Sequence, residues 1–288
     1  VVLFCALLSS AALAQIPADE QSCINDINKA AIGVAKAQGK ENSTCVKNAV
    51  KGKEPAPSAC VLADEKQKVA KKAAKTFDFE TKSCGLPPAF GYAGAAAANN
   101  AAINQEAAIV DDVYGIDVDG ALLHTVGDSG AASCQSGATA NLEKVMKTSL
   151  KTFRKCKKAG LKDGSITDAA GLAGCFDDVA NDSKVDKTID KMAAKFDKDC
   201  ESLDLPVLFP GVCAGAPDYP NCFNELARCR FCRMVNAMDG LARDCDDYDD
   251  ATANGTCIYS VTTTTTTTTT TLPDPLLGAG VPSPWPGP

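Results

Sequence analysis

Two sets of four cysteines constrain this chain more than any other feature, because they share one spacing plan. Cys134 and Cys156 lie 22 residues apart and Cys175 and Cys200 lie 25 apart, while Cys23 to Cys45 is again 22 and Cys60 to Cys84 is 24. A shift of 111 carries Val34, Lys36, Lys40, Cys45, Lys47 and Lys51 onto Val145, Lys147, Lys151, Cys156, Lys158 and Lys162, each onto its own residue type. A shift of 116 does the same for Lys68, Val69, Lys71, Lys75, Lys82 and Cys84 with Lys184, Val185, Lys187, Lys191, Lys198 and Cys200.

Helical periodicity is clearest in the second set. Leu142, Met146, Ser149, Phe153 and Cys156 recur at steps of four and three, and Val185, Ile189, Met192, Phe196 and Cys200 form a matching stripe, so both arms read as amphipathic helices. The corresponding stripe of the first set is Ala31, Ala35, Gln38 and Asn42, which offers much less apolar surface. Cysteines 22 residues apart on one helix lie about 33 Å apart, far beyond the roughly 4.4–6.8 Å of a bonded pair. Pairing first with third would need parallel arms, whereas a short connection favours antiparallel ones. The expected disulfides are therefore Cys134–Cys200 and Cys156–Cys175, and likewise Cys23–Cys84 and Cys45–Cys60. Closing a loop of about 20 residues is worth roughly 3 kcal/mol in the chain-entropy model, so the first hairpin is expected to depend on its staples.

Cysteine usage points to export. Val1–Gln15 is an apolar run ending in Ala12, Leu13 and Ala14, which reads as a signal peptide cleaved after Ala14. Cys5 leaves with it, and the fourteen remaining cysteines form an even set suited to an oxidising compartment. No later segment reaches the roughly 20 apolar residues of a membrane span. The net charge of −7 is unevenly spread, with lysines crowding the hairpins and none from Leu203 to Cys257. Acidic residues interleave with the lysines, so these read as a solvated helix face. A basic stripe interleaved with aromatics is absent, and nucleic acid is not an expected partner.

Between the hairpins, an alanine-rich run with Ala102, Ile103, Ile109, Val110 and Val113 at helical spacing stops at Gly115, and a short helix around Ala121 to Val126 is expected to follow. Asp111, Asp112, Asp117 and Asp119 do not fit a calcium loop, which would need an acidic residue where Gly115 stands and a glutamate where Val126 stands. Helix ends and caps account for them. His124 is the sole histidine, which rules out any zinc site with two histidine ligands and leaves one place for a catalytic imidazole. The chain has no G-x-S-x-G elbow. His124 is expected at a helix end, partly packed between the hairpins.

Cys213, Cys222, Cys229, Cys232, Cys245 and Cys257 form a third set. Cys222, Cys229 and Cys232 share one face of a helix, and the acidic DGLARDCDDYDD that follows reads as a capped turn or short helix. Haem attachment needs a histidine where Arg233 stands. A redox pair of Cys229 and Cys232 beside Arg228, Arg230 and Arg233 and a zinc site of Cys229, Cys232, Cys245 and Cys257 are minor alternatives to a structural three-disulfide module with fifteen open connectivities. Beyond it, the unbroken threonine tract Thr262–Thr271 and a Pro-rich end cannot supply a core and read as a disordered tail, either an O-glycosylated spacer or a plain end. Asn42, Asn181 and Asn254 each head an N-x-S/T acceptor pattern.

The pieces QSCINDINKAAIGVAKAQGKE, KKAGLKDGSITDAAGLAGC and CRFCRMVNAMDGLARDCDDYDDATANGTC resemble a group of uncharacterised, exported, cysteine-rich helical-hairpin repeat proteins known from environmental bacterial genomes. The resemblance runs from about Gln21 to Cys257 and implies export and a stapled helical architecture, with no site residues attached. The expected organisation is all-α: a signal peptide (1–14), a first stapled antiparallel hairpin (15–84), an alanine-rich helical connector (85–133), a second hairpin (134–202), a six-cysteine helical module (203–257) and a tail (258–288). The expected function is a non-enzymatic secreted or cell-surface structural and interaction protein. It would have no cofactor, metal or catalytic residue and no transmembrane segment once the signal is removed, and its candidate partners are the cell envelope or extracellular matrix. The alternatives are an extracellular carrier of a small apolar ligand and, ranked last, a secreted thiol oxidoreductase at Cys229 and Cys232.

Overall fold

Twelve α-helices and no strand form among residues 16–257, the part of the chain that its computed structural model describes. In chain order they are α1 (Ala18–Ala49), α2 (Pro57–Ala63), α3 (Lys68–Ser83), α4 (Ala95–Tyr114), α5 (Val118–Leu123), α6 (Ser129–Asp163), α7 (Ala169–Ala173), α8 (Cys175–Ala180), α9 (Ser183–Cys200), α10 (Leu205–Leu208), α11 (Tyr219–Asp239) and α12 (Cys245–Asp250). The expected signal peptide and tail lie outside the described residues. Aspartate starts many of these helices. Asp117, Asp128, Asp168, Asp182, Asp218 and Asp244 each accept a hydrogen bond from a backbone amide two or three residues ahead, satisfying donors that a helix N-terminus leaves orphaned. Gly164 and Gly240 end α6 and α11 in the left-handed region, with φ of 81° and 64°, where a side chain would be strained.

The first four-cysteine set folds as a long helix, a short helix and a returning helix, and the second as a long helix, two short helices and a returning helix. The bonds Cys23–Cys84, Cys45–Cys60, Cys134–Cys200 and Cys156–Cys175 are the pairs that antiparallel arms require. The inner bond differs from expectation in what it holds. Cys60 sits on α2 and Cys175 opens α8, so each inner bond ties the long helix to the short linking helix rather than to the returning arm. The break in the first set falls at Asp64 and Gln67, with φ of 40° and 51°. Asp64 stabilises it by accepting from the amides of Lys68, Val69 and Ala70 at 2.7–3.1 Å. In the six-cysteine stretch the bonds are Cys213–Cys222, Cys229–Cys257 and Cys232–Cys245.

The hairpins are not independent bodies. Helix α1 packs on α4, α4 on α11, α11 on α6 and α6 back on α1, a closed ring of four neighbours flanked by α3 against α1 and α4 and by α9 against α6 and α11. All described residues belong to one compact unit. The connector helix α4 thus serves the first hairpin as α11 serves the second, and α6 begins at Ser129, inside the stretch expected to be connector.

This packing corrects the reading of the first hairpin as poorly buried. Ala31, Ala35, Gln38 and Asn42 are all buried, because a stripe of small residues lets two further helices approach α1. A Cβ at Gly39 would collide with the Glu143 carboxylate arriving from α6. The second half packs by size instead. Phe153, Phe176, Phe231 and Tyr248 form one cluster with ring centroids 5.2–6.1 Å apart, and Phe196, Phe209, Tyr219 and Phe223 form another at 5.3–6.1 Å. Such pairs add about 0.5–1.5 kcal/mol each beyond their buried area.

Candidate functional site

The fourteen described cysteines are all disulfide-bonded. Cys229 and Cys232 are bonded to Cys257 and Cys245 and not to each other, which corrects the redox-pair reading. The same two bonds consume the sulfurs of the zinc reading. Cys229, Asp249 and Cys257 converge closely enough to hold a metal ion, but the two sulfurs there belong to one cystine and offer no thiolate. His124 caps the C-terminus of α5 as expected, with its side chain exposed rather than packed between hairpins. The expected short helix around it lies slightly earlier, at Val118–Leu123.

The aspartates of the connector divide. Asp117 caps α5, and Asp119 accepts from the amide and hydroxyl of Ser58 at 2.8 and 3.0 Å, holding α2 in place. Asp112 is not a cap. It receives Arg230 Nε and Nη2 at 2.5 and 2.6 Å, with both side chains 4 % exposed, while Arg230 Nη1 donates to Gln105. That ion pair joins α4 to α11. Lys157, expected among the solvated lysines, is fully buried on α6 and bonds Asp239 at the end of α11 at 2.7 Å. Burial pushes its ammonium down from the usual lysine range, and the facing carboxylate opposes that shift.

A third buried group links the remaining sides of the ring. Asn42 on α1 donates to the carbonyl of Glu106 on α4 at 2.7 Å and to the carboxylate of Glu143 on α6 at 2.8 Å, while Gln38 donates to Asn42 and to the carbonyl of Val61 on α2. Every pair of neighbours in the ring is therefore pinned by a buried polar contact. Asn42 is spent on this network and fully buried, so its acceptor pattern is closed in the fold, whereas Asn181 and Asn254 are exposed.

Burial, then the charge of Glu143, raises the Glu106 carboxyl well above its ordinary value. Asn42 and Glu106 support the charged form of Glu143, which burial alone would raise further. Burial and its neighbour thus favour the protonated form of Glu106. Its folded-state value lies above its unfolded one, so its stabilising contribution is present at low pH and is lost as pH rises through the folded value. The unfolding midpoint should fall as pH rises above the ordinary carboxylate range, and Glu106→Gln should reduce that slope and raise stability at the upper end. Denaturant titrations of oxidised protein across the range test this. A variant with the wild-type slope would contradict it.

The exposed feature with chemical character is a groove between α1 and α3, about 860 Å³ in volume. It is lined by the small residues Gly33, Ala37 and Ala74 and by Lys36, Lys40, Lys68, Lys71, Lys72 and Lys75, with Asp78 the one acidic residue along it. Lys36 is half-buried there. Its ammonium is pushed down by burial first, then by the charges of Lys151, Lys147 and Arg154 on α6 and Lys72 on α3. Cations from three helices thus act on one another here. Sequence reasoning took these lysines for an ordinary solvated face. The signal that separates them is the 116-residue shift, under which Asp186, Thr188 and Asp190 of α9 correspond to Ala70, Lys72 and Ala74 of α3. The first returning arm has lost the acids that neutralise the second. Comparison with protein-family models, curated proteins and solved structures finds no match for the chain.

Proposed function

We propose that this is a non-enzymatic exported protein that acts at the cell surface or in extracellular matrix as a structural and interaction element. The observation that carries the reading is that the described cysteines are tied up in the chain's own architecture. All fourteen described cysteines are in disulfides, and the buried ion pairs Lys157–Asp239 and Arg230–Asp112 join α6 and α4 to α11. A disulfide-held core suits persistence in an oxidising medium, where local opening exposes a chain to proteolysis. None of the described helices is long and apolar enough to cross a membrane. The threonine tract of residues 262–271 would act as a spacer between this core and its attachment.

Fractionation of native cells with an antibody to the helical core tests the reading. The protein is expected with envelope or matrix material, and deletion of residues 262–288 is expected to release it to the medium. Recovery of full-length protein free in the medium with a co-purifying lipid would replace this reading by that of a carrier.

A further inference from the structure

Resting on the reading of an exported interaction protein, we propose that the groove between α1 and α3 docks a linear acidic polysaccharide. The cations that line it are free to serve a ligand. Among the described residues, none of the lining Lys36, Lys40, Lys68, Lys71, Lys72 and Lys75 forms an ion pair, nor do Lys147 and Lys151 on the neighbouring α6. Confining so many like charges against half-buried Lys36 is unfavourable in the free protein. A polyanion relieves the repulsion and releases the counterions that otherwise screen it.

The arrangement selects a repeating ligand over a compact one. Lys36 and Lys40, Lys68 and Lys72, Lys71 and Lys75, and Lys147 and Lys151 each recur at one helical turn, about 6 Å along the axis. They form rows along helices rather than a cage around one point. The small lining residues Gly33, Ala37 and Ala74 leave room for a polymer backbone to lie between the rows. Lysine is a point charge on a flexible stem and imposes no bidentate geometry, which suits carboxylates or sulfates spaced along a flexible sugar chain.

The lining also separates this partner from two other polyanions. No aromatic side chain lines the groove, so nucleic-acid bases have no stacking platform. A membrane-inserting face needs large apolar residues beside its cations, and glycine, alanine, lysine and one aspartate make up this lining. Asp186, Thr188 and Asp190 on α9, against Ala70, Lys72 and Ala74 at the same positions of α3, leave the returning arm of this groove with the greater excess of positive charge.

The experiment uses the oxidised full chain with polygalacturonate and dextran sulfate as probes, and with neutral dextran, oligo(dT) and phosphatidylcholine/phosphatidylglycerol vesicles alongside. The acidic polysaccharides are expected to bind and to lose about tenfold or more in affinity between about 50 and 200 mM salt. The triple variant Lys40→Glu, Lys72→Glu, Lys75→Glu changes only exposed side chains and should weaken binding by about tenfold or more. The equally charged control Lys184→Glu, Lys187→Glu, Lys191→Glu on α9 should bind like wild type. Glutamine at positions 40, 72 and 75 gives a milder second version, and circular dichroism with unreduced peptide mapping verifies each fold. Equal losses in the groove and control variants, absence of polysaccharide binding, or tighter binding of oligo(dT) or of the vesicles would each overturn the proposal. Envelope association without polysaccharide binding would remove this proposal and leave the exported structural reading standing.

Discussion

Replacing Lys157 by methionine should cost about 3–5 kcal/mol of stability, and adding Asp239→Leu should restore most of it. The two side chains are 0 % and 2 % exposed and meet at 2.7 Å, and Lys157 also donates to the carbonyl of Gly91 at 3.3 Å. Asp239 is the last residue of α11, where the helix dipole already disfavours a carboxylate, and burial raises its pKa above the ordinary carboxylate range while Lys157 opposes that shift. Removing the ammonium leaves a buried carboxylate with no countercharge and only the Asn28 side chain to support it. Removing both members replaces two desolvated ions by apolar volume, which is commonly neutral or better. Urea unfolding of oxidised protein, with the denaturant slope monitored for two-state behaviour, measures both. A single variant with the wild-type midpoint would show that water reaches Asp239.

The second large effect is expected from the outer staples, and it should differ in kind between the hairpins. Cys23–Cys84 and Cys134–Cys200 span 61 and 66 residues, so the chain-entropy model assigns each roughly 4 kcal/mol against global unfolding. Their local consequences diverge because the returning arms bury different amounts. Val69 and Thr76 are the buried residues of α3, whereas α9 buries Val185, Met192 and Phe196 besides its cysteine, and Phe196 packs into an aromatic cluster. Cys23→Ser with Cys84→Ser should therefore let α3 open alone, with its amides losing exchange protection while α1 keeps it. Cys134→Ser with Cys200→Ser should lower global stability but leave α9 protected below the global opening. Hydrogen exchange resolved by helix reads the contrast. Equal protection of α3 and α9 after their staples are removed would show that the small-residue packing on α1 holds α3 as firmly as aromatics hold α9. The dependence on staples expected of the whole first hairpin thus narrows to α3, since α1 is buried in the ring from several sides.

The helical fold and the four hairpin disulfides were legible because both are local or nearly so. Cysteine spacing together with a helix rise leaves few ways to bring sulfurs together, and the stripes of Leu142, Met146 and Phe153 or Val185, Met192 and Phe196 announce their buried face by period alone. Aspartates before helix starts and glycines after helix ends act within one turn, so they too could be read from the chain. What tertiary structure decided is everything that depends on which helix meets which. Ala31, Ala35, Gln38 and Asn42 look like a weak face until α4 and α6 approach it, and only then does smallness become close packing and amide polarity become a network. Lys157 and Arg230 carry no mark that separates them from their solvated neighbours, because burial of a charge depends on a partner 82 and 118 residues away. The disulfides of the six-cysteine stretch were open for the same reason, since its short elements turn back on α11 in an order that spacing does not dictate. The groove lies between these cases. Its lysines are plain in the sequence, but their shared field exists only because α1, α3 and α6 lie side by side, where charges within a Debye length act together.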